Sequence, residues 1–379
     1  MSNVLKNTYT ILFYVDATRC NYNGDPAEDN RPRQDYSTGQ GILTDVAVKR
    51  RIRDLMYEMY HTEGVDDGYD ILMKPEAYIN REIKRYAVQM EAANPNFYIT
   101  DSDDNAGDGD SDNGDKPAKK KGGKKSGKKS IADQFAATDW FCKKFADVRT
   151  FGAVLSTGLN AGQVTGACQV GISASVDAVE PIDMQMSRMC VTNLKNEKNE
   201  NPLSAFDDEY NNTPHDKRRT FGWKWYVPYA LFPVHMTISA ADAARVGFTE
   251  DDFNHLLEVI TMLYSTQRTS SKEMCVPAPV IVFKHVGTQH ENNAEQNRAE
   301  ACLGCASAGR LYSLITTKKR PDVVRADKFT DYQITIKASR VPRGVQLGFK
   351  DIGQDIHWYS AENKNQFADY EEEYNYIIK

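Results

Sequence analysis

The sequence predicts an α+β fold in which helices cover one face of a sheet and two long polar excursions interrupt it. Three observations carry this prediction. A β-branched and aromatic run lies near the start, two capped amphipathic helices open at Thr44 and Thr249, and the tracts Asp101–Lys129 and Asn193–Arg219 are too polar to build a core.

Thr8 to Val15 (Thr-Tyr-Thr-Ile-Leu-Phe-Tyr-Val) reads as a buried first strand. In the loop from Ala17 to Gly41, Gly24-Asp25-Pro26 and Arg31-Pro32-Arg33 read as turns or extended chain, because proline pushes its predecessor out of the α region. Thr44 then caps a helix whose Val48, Ile52, Leu55, Met56 and Met59 form one stripe. At about 100° per residue, Lys49, Arg50 and Arg53 fall off that stripe and are expected to face outward.

Ala87–Tyr98 and Ile131–Phe145 read as structured flanks of a block copolymer. Between Asp101 and Lys129 seven aspartates precede eight lysines, and no hydrophobic residue exceeds alanine in size. Nothing there repays the entropy of ordering, so the tract is expected to be a disordered insertion within a subdomain.

Asp147–Ser156 and Gln169–Val179 predict two strands joined by the glycine-rich loop Thr157–Gly166, and Trp225–Ile238 predicts another. Thr249 opens the clearest helix: a capping box with Asp252, acidic residues at the positive dipole end, and Phe253, Leu256, Leu257, Ile260 and Leu263 on one face. Val280–Phe283 and Tyr332–Ile336 complete the strands. This order is compatible with a ferredoxin-like or RRM-like core carrying two excursions, and 379 residues suit one elaborated domain.

A formal net charge of -6 confines any nucleic-acid site to a local patch on an acidic body. Seven cysteines in a chain of this length point to a reducing compartment. Cys302-Leu303-Gly304-Cys305 is the only CxxC and reads as ordinary thiols near a helix start, with a metal as the alternative. The N-terminus lacks an apolar signal core and no run of about 18 apolar residues occurs, so a cytoplasmic protein without membrane contact is expected.

The loop and helix from Arg19 to Arg53 gather Arg19, Arg31, Arg33, Lys49, Arg50, Arg51 and Arg53, interleaved with Asn21, Asn23 and Gln34. Guanidinium forks match phosphate oxygens and amides donate to phosphates or sugar hydroxyls, which suits RNA; a plain solvated helix face is the competing reading. Lys217, Arg218, Arg219 and Lys224 surround Phe221, Trp223, Trp225 and Tyr226. That alternation suits a backbone-tracking, base-stacking surface, although Phe221, Trp223 and Trp225 share one strand face and equally suit a core. The loop Gly158–Gly166 is either a phosphate approach or a hairpin connection.

Enzyme readings are poorer. Gly122-x4-Gly127-Lys128 imitates a P-loop, but Lys129 stands where a magnesium-binding hydroxyl belongs. Asp25, Asp29 and Asp35 offer carboxylates for a metal or a general base, and turn formation and arginine pairing explain them as well. The seven histidines show no ligand spacing, and no cofactor or metal is expected.

Several spaced motifs together resemble a known family. Asn21-x-Asn23-Gly24-Asp25-Pro26, Asn30-Arg31-Pro32-Arg33-Gln34-Asp35, Gly39-x-Gly41 and Thr44-Asp45-Val46-x-x-Lys49-Arg50-x-Ile52-Arg53 occur in order, followed by Phe151–Leu155, Gly162-Gln163-Val164-x-Gly166, Val227–Leu231 and Phe283-Lys284-His285. They resemble the repeating backbone subunit of type I CRISPR Cascade complexes, the Cas-seven family, closest to its type I-C branch. Tyr22 stands where that pattern has proline, and Ala230 where it has glycine.

The resemblance implies an RRM-like palm (residues 8–56, 146–186 and 224–340), a finger-like insertion (57–145) and a thumb-like one (187–223). It implies a non-catalytic subunit, many copies of which line one CRISPR guide RNA, head to tail, with other Cascade subunits at the filament ends and target DNA held through guide pairing. Phosphate contacts would fall on Arg31, Arg33, Lys49, Arg50 and Arg53, with Gln163 near the RNA. Related subunits that cleave target RNA with a loop aspartate supply the enzymatic alternative, and a general single-strand RNA-binding module is a third.

Overall fold

The first strand runs from Tyr9 to Cys20 in the computed structural model, which describes residues 3–94, 97, 99–101, 129–156, 159–191, 203–214, 218–266, 268–288 and 293–379. It pairs antiparallel with the long strand Thr220–Ile238, Tyr9 opposite Ile238 and Val15 opposite Phe232, and on its other side with Val280–His285. Cys168–Val170 joins the far edge of the long strand, so four strands lie in the order 168–170, 220–238, 9–20, 280–285. The helix Asp45–Tyr60 intervenes between the first and second of these in the chain, and Glu250–Thr261 between the third and fourth. The sheet continues through Val345–Lys350 and His357–Trp358, beyond the strands expected from sequence.

One face of the sheet packs on the two helices. Ile11, Phe13, Val15, Phe232, Val234 and Val282 meet Val48, Ile52 and Leu55 of the first helix and Phe253, Leu256 and Ile260 of the second. Each fully buried side chain of this kind contributes about 1.5–3 kcal/mol. The capping box at Thr249 is formed in both directions: its hydroxyl accepts from Asp252 N at 3.1 Å and Asp252 Oδ2 accepts from Thr249 N at 2.9 Å.

The other face is covered too, which corrects the expectation of a one-sided sheet. Leu12, Tyr14, Ile281, Phe283 and Phe349 pack against a second layer containing Ile334, Ile336 and Tyr376. That layer holds a three-stranded sheet of Ile315–Lys319, Tyr332–Ile336 and Tyr376–Ile378, so Tyr332–Ile336 belongs there and not to the main sheet. Burial on both sides explains why Ile11 to Val15 is continuously apolar and does not alternate.

Three segments differ from their predicted form. Asp147–Ser156 is a short helix, Ala146–Phe151, followed by a two-residue strand, Ala153–Val154, paired with Gln163–Val164. The helix is buried on every side, Asp147, Arg149 and Thr150 included, so it lacks the one-faced apolar stripe that separates helix from strand. Gly152 ends it at φ 83°, and a Cβ on Gly166 would stand 2.3 Å from Gly152 N. Gln169–Val179 is broken at Gly171-Ile172 into Cys168–Val170 and Ser173–Ala178, the latter pairing with Gln40–Leu43. Within the polar stretch before Arg219 lies a helix, Leu203–Asn212, with no buried residue.

Ile99–Asp101 pairs with Lys129–Ile131, so the aspartate and lysine tract joins two paired strands; its expected disorder, at residues 102–128, lies outside the described residues. Cys302 closes the helix Ala294–Leu303, and Cys305 lies just before the helix Ala308–Tyr312. Cys305 donates through Sγ to Gly344 O at 3.1 Å. Among the described residues no helix is long and apolar enough to cross a membrane.

Candidate nucleic-acid interface

The loop after the first strand is built by its own amides. Asn21, buried, donates from Nδ2 to Asn30 O at 2.6 Å, and Tyr22 donates its hydroxyl to Arg33 O at 2.6 Å. Asn23 Nδ2 reaches Ile42 O at 3.3 Å and Thr44 Oγ1 at 3.1 Å, and Gln34 Nε2 donates to Gly39 O and Val179 O, both at 2.8 Å. Gly24 pairs with Pro32, and a Cβ there would lie 2.0 Å from Asn30 Oδ1, so only glycine closes the turn. Asn21, Asn23 and Gln34 therefore shape the loop from inside.

Asp25 accepts from Ala27 N at 3.0 Å and from Arg33 Nη1 at 2.9 Å. Asp35 accepts from the hydroxyl and N–H of Ser37, which hold its carboxyl below the usual value. Both carboxylates are engaged in holding turns.

Arg31 is placed differently. Its guanidinium lies 5.5 Å from the Trp225 ring and 5.9 Å from the Tyr36 ring, within cation–π reach of both. Its Nε is buried and has no hydrogen-bond partner among the described residues. A buried donor left unsatisfied costs about 1–3 kcal/mol, more on a charged group, so this N–H favours an acceptor from outside the described residues.

Trp225 continues into an exposed ribbon. Ile182–Arg188 and Thr220–Tyr226 pair in register, Gln185 opposite Trp223 and Ser187 opposite Phe221. Phe221 is 61% exposed and Trp223 66%, so these rings are surface groups and not the core that their shared face also permitted. Met184 and Met186, both exposed, occupy the opposite face. Arg218 stacks 3.9 Å from the Tyr210 ring and donates from Nε to Thr213 O at 2.8 Å, tying the helix Leu203–Asn212 to the ribbon. Arg219 is exposed, and Lys217 lies outside the described residues. Lys224 Nζ donates to Ser270 O at 2.6 Å and Ser270 Oγ at 3.1 Å. Arg19 is exposed at φ 47°, where the pairing of the first strand skips a residue.

The cations of the first helix do not face outward as expected. Lys49 pairs with Asp45 at 3.0 Å, Arg50 with Asp54 and with Met73 O, and Arg53 Nε with Asp147 Oδ2 at 3.1 Å. Lys49 and Arg53 also lie 5.9 and 5.1 Å from the Phe151 ring. Asp147 is 1% exposed and accepts from Leu72 N and Met73 N as well. Burial pushes its carboxyl up against the pull of these partners. Replacing Arg53 with alanine is expected to cost about 3 kcal/mol by leaving a buried carboxylate short of its cation, visible as a fall in the denaturation midpoint; an unchanged midpoint would make Arg53 available for a ligand. Gln163 is exposed on the short ladder beside Ala153 and Val154.

Sequence reasoning overlooked one neighbour of this loop, Arg268-Thr269-Ser270-Ser271-Lys272. Its backbone is pinned to the loop through Asn21 N to Ser271 O at 3.0 Å, and Lys272 Nζ donates to Tyr22 O at 2.8 Å. Two cations flanking three hydroxyls were the available signal.

The family model for CRISPR-associated protein Cas7 matches residues 7–337. The chain belongs to the Cas7 family. A CRISPR-associated protein Cas7 of Haloferax volcanii is 50% identical over 68 residues, a match that spans 18% of this chain and 18% of that relative. A chain of a CRISPR RNA-guided surveillance complex, pre-nicking, is a distant structural neighbour of this Cas7-family chain, with a TM-score of 0.37 and 12% identity over 73% of this chain and 78% of that one.

Proposed function

We propose that this Cas7-family chain is a non-catalytic backbone subunit of a type I-C Cascade complex. It binds CRISPR guide RNA, repeats head to tail along it between other Cascade subunits, and holds target DNA paired to the guide. The observation that carries the reading is Arg31, within cation–π reach of Trp225 and Tyr36 and with a buried Nε that has no hydrogen-bond partner among the described residues. A stacked arginine beside exposed aromatics is what single-stranded nucleic acid requires: a cation for the phosphate and faces for the bases.

The strand order 168–170, 220–238, 9–20, 280–285, with helices between its halves, supports an RRM-like palm. Because both faces of that sheet are covered, RNA contact falls to the loops at its edge and to the ribbon, not to an open sheet face. The ribbon and its flanking helix support a thumb at 187–223, and the paired strands Ile99–Asp101 and Lys129–Ile131 within 57–145 support fingers there. Engagement of Asp25 by Arg33 and of Asp35 by Ser37 supports a subunit without nuclease chemistry. Repetition of one surface along a guide is heterologous association whose length the RNA sets.

Expressing the chain with a CRISPR repeat-spacer transcript and its flanking subunits tests this. A large particle holding many copies on one processed guide is expected, and it should leave complementary RNA uncut in magnesium. A lone subunit without RNA, or regular cuts abolished by Asp25→Ala, would refute it.

A further inference from the structure

We infer that the outer face of the second layer, presented by Ile315–Lys319 and Tyr332–Ile336 and extended by Lys337 and Arg340, holds phosphates of the DNA strand that is displaced when target pairs with guide. The inference rests on the backbone-subunit reading and deepens it by adding a partner surface apart from the Arg31 loop.

Charge supplies the first observation. Between Ile315 and Arg343 eight lysines and arginines stand against three aspartates, in a chain whose formal net charge is -6. A local excess of one sign draws a polyanion to that surface. The aspartates do not cancel it: Asp331 is buried and accepts from Asp327 N at 2.8 Å and Lys328 N at 3.2 Å, Asp322 lies 3.4 Å from Arg320, and Asp327 sits in the connection between the two strands.

Register then places the cations. Thr317 Oγ1 lies 2.6 Å from the Tyr14 hydroxyl of the palm sheet, and Ile334 and Ile336 are buried with that sheet's residues, so these alternate positions face inward. Thr316, Lys318, Gln333 and Thr335 therefore face outward, Thr316 opposite Thr335 and Lys318 opposite Gln333. By the same alternation Lys337 follows on that side. Its N–H donates to Leu314 O, which sets it about 13 Å from Lys318 along the strands, at about 3.3 Å per residue. Arg340 is exposed and its N–H donates to Lys337 O at 3.0 Å. Lys318, Lys337 and Arg340 form no ion pair among the described residues. The acidic helix Asp369–Tyr374 leads into Tyr376–Ile378, on the side of Tyr332–Ile336 away from Lys318.

The layer is fixed beside the guide groove. Tyr332 donates its hydroxyl to Asp177 Oδ2 at 2.8 Å, and Arg325 lies 3.8 Å from Glu180. Asp177 belongs to the strand Ser173–Ala178, which pairs with Gln40–Leu43 at the end of the Arg31 loop. The outer face turns away from the palm sheet, so it serves a strand other than the guide. Pairing of one DNA strand with the guide sets the other free, and that strand carries phosphates but no partner. Ammonium and guanidinium groups with an amide and hydroxyls between them suit its backbone. No aromatic residue stands among these outward positions, so bases are neither stacked nor read, as a strand of any sequence requires.

The test assembles the chain with guide and flanking subunits and compares wild type with the combined Lys318→Gln, Lys337→Gln and Arg340→Gln variant, across a salt series, on a target duplex and on the single target strand. Duplex affinity is expected to fall about tenfold, with the log–log salt slope shallower by about 2 for each copy engaged, three single-strand phosphate contacts. Affinity for the single target strand and for the guide should stay at the wild-type value. Lys318→Arg combined with Lys337→Arg should bind duplex as wild type does. Wild-type duplex affinity and slope in the glutamine variant overturn this surface alone. An equal loss on the single target strand assigns the face to that strand, and a loss of guide binding assigns it to RNA; either result also overturns the inference. A wild-type chain that binds no guide overturns the backbone reading along with it.

Discussion

The Arg149→Ala variant is expected to lose about 3–5 kcal/mol of stability, the largest effect of any single truncation considered. Arg149 and Asp252 are both buried and form a two-point pair, Nε to Oδ2 at 3.0 Å and Nη2 to Oδ1 at 2.7 Å. Arg149 Nη1 also donates to Gly68 O at 2.5 Å, and Tyr69 donates its hydroxyl to Asp252 Oδ1 at 3.1 Å. One guanidinium thus joins the helix Ala146–Phe151, the start of Glu250–Thr261 and the turn at 67–69. Removing it strands a carboxylate in the interior, whereas Arg149→Met combined with Asp252→Leu should cost less than the single change. Chemical denaturation decides: a loss under about 1 kcal/mol would mean that the pair contributes little.

Acid should probe the same pair. Burial alone would raise the Asp252 carboxyl, but the Arg149 bonds and charge hold it below the usual value. A depressed carboxylate contributes stability above its unfolded value, near 3.9, and that contribution disappears as the pH falls through the lower folded value. Wild type should therefore lose stability on acidification below about pH 4 more steeply than the double variant does.

The Arg31→Ala variant is expected to bind guide RNA about tenfold to hundredfold more weakly, the range for a hydrogen bond to a charged group. Its salt slope should shrink by about 0.7, while its unfolding midpoint should not fall, because Arg31 is half-buried and its buried Nε has no hydrogen bond among the described residues to lose. Arg31→Lys keeps the charge but neither the planar stack nor the fork, so it should recover only part of the loss. Filter binding across a salt series separates these outcomes, and equal affinity for all three proteins would remove Arg31 from the interface.

The contrast between Arg31 and Arg53 shows how far the sequence was legible. Both were read as phosphate contacts, and their environments differ because of partners remote in the chain: Trp225 for one, Asp147 for the other. Periodicity assigned Val48 and Ile52 to the core because the stripe is a local property, but it could not register a carboxylate arriving from another helix. Likewise the period of two put Phe221, Trp223 and Trp225 on one face without saying whether anything covers that face. The capping box at Thr249 was legible because all its atoms lie within four residues. The helix Ala146–Phe151 was not, since burial on all sides erases the pattern that distinguishes it from a strand. The second layer over the sheet escaped notice for a related reason: its strands are short and lie far down the chain from the residues they cover.

The strand Thr220–Ile238 has one mechanical consequence. Its nineteen residues span about 60 Å at about 3.3 Å each, with the ribbon at one end and the packed core at the other. Isolated two-stranded ribbons are floppy by themselves, but this one is cantilevered from a strand clamped along most of its length by the sheet. A sideways load at Phe221 would be borne at the root near Pro228, as in a diving board fixed at one end, so the stiffness of the tip is a property of the core.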